Sequence, residues 1–263
     1  MTKVKPLRRT LETIAEWIFA LITQIFPAGR VPKPDPAKPL AAIWYYAKES
    51  ARSQRLFIFL PGRRDRAADF ARHGLITMAQ RCVVDLDCVA VDATIGYYLD
   101  GSVADRIQRE IVIPARANEY REIWLVGVSM GGLGAFFHER TFPGATDGLI
   151  LLAPFLGDDR KLFADIDAAG GAVPWASAQP YRNVERNRAT YQRDLWLFLG
   201  RLPFRRASAQ QIWVAYGDRD RLLPGIERFS TVLAPERVFR LPGGHTWDVW
   251  KGGFDEILKR ITW

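Results

Sequence analysis

Short apolar runs alternate with longer amphipathic segments from residue 41 to the C-terminus. Seven runs have the length and the β-branched and aromatic content of buried strands: "AAIWYYA", "RLFIFLP", "CVVDLDCVAVD", "EIWLVGV", "GLILLAP", "QIWVAYG" and "RVFRLPG". Helical spacing of apolar positions fills residues 64–80, 102–118, 130–142, 223–234 and 247–261 between them. Strands that alternate with helices imply a mostly parallel sheet covered on both faces. The pattern predicts an α/β domain over residues 40–263. Residues 157–210 break the rhythm. They carry Phe163, Trp175, Tyr181, Tyr191, Trp196, Phe198 and Phe204 and have room for two or three helices. An insertion of that length in a compact domain reads as a lid.

Residues 1–39 follow a different pattern. "MTKVKPLRRT" is basic, and Leu11, Ile14, Ile18, Leu21, Ile22 and Ile25 then recur at helical spacing beside Glu12, Glu16 and Thr23. This apolar stretch is shorter than the roughly 20 residues that span a bilayer, and Glu16 lies within it. Three readings fit residues 1–26: an interfacial membrane helix, a helix packed on its own domain, and a signal or signal-anchor. "PAGRVPKPDPAKP" holds five prolines in thirteen residues and reads as a stiff linker. The expected location is a membrane surface or the cytoplasm, with secretion as the alternative if the segment is a signal.

The hydrophobic content of 48% and charged content of 25% are ordinary for a globular protein. The net charge of +8 is uneven: residues 1–60 hold ten Lys or Arg against four acids. A basic end of this kind suits an anionic membrane surface better than a nucleic-acid groove. Cys82 and Cys88 share one strand-like run, roughly 20 Å apart when extended, too far for a mutual disulfide. No metal-ligand spacing and no pyridine-nucleotide or flavin fingerprint is present, so neither metal nor cofactor is implied.

Candidate chemistry gathers in "LVGVSMGGLGAFFHE", where a strand passes directly into a helix at Ser129. Gly127 and Gly131 remove side chains that would collide in so sharp a turn. The hydroxyl is then held out at the sheet edge beside a helix N-terminus, whose free N–H groups favour developing negative charge. A serine hydroxyl needs a general base, and the chain has three histidines. His138 is nine residues along the same helix, about 13 Å away by rise. His73 falls in a helical segment away from the strand ends. His245, in "RLPGGHTWDVW", follows the last strand directly and is the candidate base. "VAYGDRDRLLPG" offers Asp220 as the carboxylate that orients it, with Asp218 as a turn residue and Asp158 or Asp159 as a weaker alternative. An oxyanion hole needs two N–H donors. Met130, after the nucleophile, supplies one; Arg63, beside Gly62 in "RLFIFLPGRRD", supplies the other. Gly62 lets the backbone approach the substrate, and Trp196 and Phe198 are the candidate apolar wall for an acyl group.

These motifs carry a resemblance over roughly residues 41–263. "LPGR", "GVSMGG", "YGDRD" and "GGHTW" together resemble the α/β-hydrolases, and the "SMGG" and "GGH-x-W" forms are similar to carboxylesterases of the esterase D and mycolyltransferase-like branch. Many members have His-Gly at the oxyanion loop where this chain has Pro61-Gly62. The resemblance implies a serine esterase working through an acyl-enzyme on a small-molecule acyl ester, with no nucleic-acid partner. Acyl transfer, thioester cleavage and a non-catalytic binding role on the same fold are the alternatives.

Overall fold

The computed structural model describes residues 33–47, 53–180, 190–204 and 211–263. The chain divides into two units, Met1–Asp35 and Pro36–Trp263. The N-terminal amphipathic segment of the sequence reading lies outside the described residues. Among the described residues no helix is long and apolar enough to cross a membrane.

In the second unit, β1 (Ala42–Tyr45) and β2 (Arg55–Leu60) lead to α1 (Ala67–Arg72) and α2 (Leu75–Cys82). Next come β3 (Leu86–Val91), α3 (Ile95–Leu99), α4 (Val103–Ile107), a π-helical turn (Gln108–Val112) and α5 (Ile113–Ala117). β4 (Glu122–Val128) runs into α6 (Met130–Thr141), and β5 (Gly148–Leu152) into α7 (Arg160–Ala168), α8 (Ala172–Ala178) and α9 (Tyr191–Arg201). β6 (Gln211–Gly217), α10 (Leu223–Ser230), β7 (Val238–Leu241) and α11 (Trp247–Leu258) complete the unit. The seven strands form one sheet in the order β1-β3-β2-β4-β5-β6-β7. Only β1 is antiparallel to its neighbour; every other pairing is parallel. A parallel sheet with helices on its faces must bury both sides of its strands. Accordingly every residue of β3 and β5 is buried, as is all but the first residue of β2, β4 and β6.

Several boundaries differ from the sequence pattern for identifiable reasons. The run "CVVDLDCVAVD" predicts a strand from residue 82, yet Cys82 ends α2 and β3 begins at Leu86. Asp85 adopts a φ of 53°, a turn conformation, and Val84 is 72% exposed. Valines at a helix end mimicked a strand start. Segment 64–80 is split at Gly74, whose φ is +80°. Segment 102–118 widens into a π turn just before Pro114, whose ring crowds the carbonyl four residues back and which has no N–H to offer it. The one buried carboxylate of β3 is satisfied: Asp87 accepts from the Ala47 N–H at 2.6 Å and the Tyr120 hydroxyl at 2.5 Å.

The described part of insertion 157–210 is a helical layer on the flank of the sheet. Phe198 of α9 meets Phe136 of α6 at 6.3 Å, Tyr191 meets Phe137, and Arg140 pairs with Asp194 at 2.5 Å. The structure gives Trp196 and Phe198 packing partners instead of an open pocket wall. Trp196 is fully buried, its Nε1 donates to the Leu156 carbonyl at 2.9 Å, and its ring stands edge-on to Phe163. An indole with no face to solvent lines no open cavity. Trp196→Ala should therefore lower stability by about 3–5 kcal/mol, the cost of a large core truncation. Chemical denaturation reads this directly. A variant of wild-type stability with an altered acyl-chain preference would instead favour the pocket-wall reading.

Candidate active site

The turn between β4 and α6 holds Ser129 at φ 52°, ψ −113°, a conformation that non-glycine residues rarely adopt. The surrounding backbone enforces it. The Ser129 N–H donates to the Leu152 carbonyl at 2.9 Å, and the Ser129 carbonyl accepts from Gly132 at 3.0 Å and Phe155 at 2.9 Å. The two flanking glycines are dictated by contact. A Cβ on Gly127 would stand 2.5 Å from the Gly131 carbonyl oxygen, and one on Gly131 would stand 2.6 Å from the Leu60 carbonyl carbon. The sharp turn is thus wedged between β2 and the first turn of α6.

The structure brings three of the sequence candidates into one hydrogen-bonded line. His245 Nε2 lies 3.0 Å from Ser129 Oγ. His245 Nδ1 lies 2.8 and 3.0 Å from the two carboxylate oxygens of Asp220. A nitrogen facing an ionised carboxylate must carry the proton. Nε2 is then left with the lone pair, directed at the serine hydroxyl. The Asp220 side chain is wholly buried and the His245 side chain is 10% exposed. The Leu222 N–H also donates to Asp220 at 2.8 Å and fixes its orientation.

Asp218 has a different post. It accepts from the Gly243 N–H at 2.8 Å, and the Arg219 N–H reaches the Gly243 carbonyl at 2.8 Å. These bonds tie the loop after β6 to the loop that carries His245. Asp158 and Asp159 are engaged elsewhere. Asp159 caps α7 through the Leu162 N–H, and Asp158 bonds Gln192. His138 is buried on α6 with Nε2 at 2.8 Å from Gln108, and burial depresses its pKa to about 4.

The loop after β2 closes on the serine from the other side. A Cβ on Gly62 would stand 3.5 Å from Ser129 Cβ, so the backbone of this loop borders the hydroxyl. Neither the Arg63 nor the Met130 N–H is taken up by a carbonyl in the turns and loops of the described residues. Among the described residues, no group of three or more His, Cys, Asp or Glu could hold a metal ion.

Sequence reasoning missed the frame around His245. Trp250 stands edge-on to the His245 ring at 4.9 Å, and Trp247 stands edge-on to Trp250 at 5.1 Å. His73 stacks flat on Trp247 at 4.3 Å. The Trp247 indole donates to Asp65 Oδ1 at 3.3 Å, which links the start of α11, just after His245, to the loop of Gly62 and Arg63. Burial raises the Asp65 pKa, with the indole hydrogen bond opposing. A signal for the tryptophans existed: their i, i+3 spacing puts them on one face of α11. Asp65 had no comparable signal.

No protein-family model and no curated protein sequence matches the chain. Solved structures do resemble it. Est1E from Butyrivibrio proteoclasticus shares 17% identity at a TM-score of 0.56, over 83% of this chain and 90% of that one. FphF, a fluorophosphonate-binding serine hydrolase of Staphylococcus aureus, shares 13% at 0.53, over 84% and 98%. The S-formylglutathione hydrolase FrmB of the same organism shares 12% at 0.51, over 87% and 98%. The seven-stranded, mostly parallel sheet with its flanking helices is the α/β-hydrolase fold.

Proposed function

We propose that the chain is a serine hydrolase that cleaves a carboxylic ester through an acyl-enzyme. The observation that carries this reading is the hydrogen-bonded line from Asp220 through His245 to Ser129, at a strained strand-to-helix turn. Its neighbours in fold include a ferulic acid esterase, an S-formylglutathione hydrolase and a fluorophosphonate-binding serine hydrolase, which agrees with the reading.

In this mechanism Ser129 Oγ attacks the ester carbonyl carbon while His245 Nε2 takes the hydroxyl proton. Asp220 holds the Nδ1–H and stabilises the imidazolium that forms. The carbonyl oxygen gains negative charge and is met by the Met130 and Arg63 N–H groups, donors fixed before the reaction begins. Collapse of the tetrahedral species breaks the ester C–O bond, and His245 returns its proton to the departing alkoxide. Water then attacks the acyl-enzyme with the same base, and the acid leaves. Reaction with a fluorophosphonate probe tests the reading: the probe should attach to Ser129. A wild-type chain that stays unlabelled would overturn it.

A membrane surface is the proposed second partner, through the basic cluster Lys3, Lys5, Arg8 and Arg9 and the apolar periodicity that follows it. The cut that tests this must spare Lys38, whose carbonyl accepts from the buried Arg106. Removing residues 1–32 should leave the melting curve and esterase activity intact and abolish co-sedimentation with anionic vesicles. Unchanged vesicle binding would remove the membrane role from this segment.

A further inference from the structure

Two loops that border Ser129 and His245 also carry arginines that no carboxylate among the described residues neutralises. Arg63 and Arg64 follow Gly62, whose Cα side faces the serine at van der Waals distance. Arg221 follows Asp220, which holds His245. All three side chains belong to exposed residues. Among the described residues none of the three has a carboxylate within 4.0 Å. Several other arginines of this chain do. Arg55, Arg72, Arg109, Arg116, Arg219 and Arg228 each have an acidic partner within that distance.

The three charges also crowd one another. Partial burial, then the nearby charges of Arg64 and Arg221, depress the pKa of Arg63. Arg63 and Arg64, on the loop of Gly62, and Arg221, on the loop of Asp220, thus lie near enough to act on one another. Repulsion of this kind is unfavourable in the empty protein and is relieved by an anion bound between the guanidinium groups. The nearest acid on the same loop does not relieve it. Asp65 is turned inward, with Oδ1 on the Trp247 indole and Oδ2 against Gly62. Asp218 is already taken by the Gly243 N–H and Arg219.

We propose that the site selects esters bearing an anionic group, a carboxylate or phosphate a few bonds from the scissile carbonyl, held by Arg63, Arg64 and Arg221. This rests on the serine hydrolase reading and names its substrate class. Guanidinium forks suit planar carboxylates and phosphates through paired N–H donors. The same charges draw an anionic substrate toward the serine before contact, an effect that salt weakens.

The test compares two esters of one acyl length: mono-4-nitrophenyl glutarate, which is anionic, and its methyl ester, which is neutral. An exposed ion pair is worth up to about fivefold in an equilibrium, so two or three arginines together should favour the anionic ester by about tenfold in kcat/KM. The ratio should fall toward one in the Arg63→Gln, Arg221→Gln double variant and at high salt. It should return in Arg63→Lys, Arg221→Lys, which keeps the charge. Because each variant is its own reference, a general loss of activity does not disturb the readout. A wild type that hydrolyses both esters equally, or a preference that survives in the glutamine variant, overturns the anionic site and leaves the hydrolase reading standing. Failure to cleave either ester together with failure to take up the fluorophosphonate probe overturns the hydrolase reading and this inference with it.

Discussion

Ser129→Ala should lower kcat/KM for a short activated ester by about 10⁴-fold or more and abolish labelling by the fluorophosphonate probe. The size follows from the unit character of the site. Without Oγ the imidazole has no hydroxyl to deprotonate, and only the oxyanion donors and substrate binding remain to assist water. The fold should be almost indifferent. The Oγ contributes one hydrogen bond, to His245, whereas the backbone bonds that hold the turn come from the Ser129 N–H and carbonyl. Alanine accepts the left-handed φ with the same reluctance as serine, so the strain of the turn is unchanged. The melting temperature should stay within about 4 °C of wild type, the shift expected of a change near 1 kcal/mol. Stopped activity with an unchanged melt identifies the nucleophile. Activity within tenfold of wild type would show that another group attacks the ester.

Much of this site was legible because its chemistry is local. A serine between Gly127 and Gly131, with an apolar strand before it and a helix after, describes the turn almost completely. The steric demands that select those glycines act within a few residues and against the adjacent strand. His245 could be singled out by elimination because the chain has three histidines and only this one follows a strand directly. The sheet was legible for a related reason. Strands buried on both faces need continuous apolar runs, and "RLFIFLP" or "GLILLAP" can hardly be anything else.

What stayed hidden depends on tertiary contact. An insertion rich in aromatics reads identically whether its rings line a pocket or fill a core. Only the Trp196 hydrogen bond to Leu156 and its edge-on contact with Phe163 separate the two. Asp65 looks like one more charged residue in "PGRRDRAAD" until Trp247, far along the chain, turns its indole toward it. The strand that begins at Leu86 shows the same limit in small. Val83 and Val84 have strand propensity, but the turn at Asp85 decides where the strand starts.

The two aspartates of the loop after β6 give the sharpest remaining contrast. They are two residues apart and hold different parts of the same loop. Asp220→Asn should reduce kcat by about 10³–10⁴-fold with little change in substrate binding, because an amide can present an N–H₂ group to His245. That group favours the tautomer with the proton on Nε2, and the lone pair needed for Ser129 is lost. Asp218→Asn should cost less than about tenfold. Its task is to accept the Gly243 N–H, and an asparagine Oδ1 does that equally well. The Arg219 pair that it forfeits is long, at 3.6 Å, and solvent-exposed, so its contribution is small. Titration of kcat with pH adds a second readout. The Asp220→Asn enzyme should regain rate in strong alkali, where hydroxide takes the place of the missing base, while the Asp218→Asn profile should follow the wild type. Equal losses in the two variants, or a larger loss at position 218, would mean that His245 is oriented by its loop and not by the buried carboxylate.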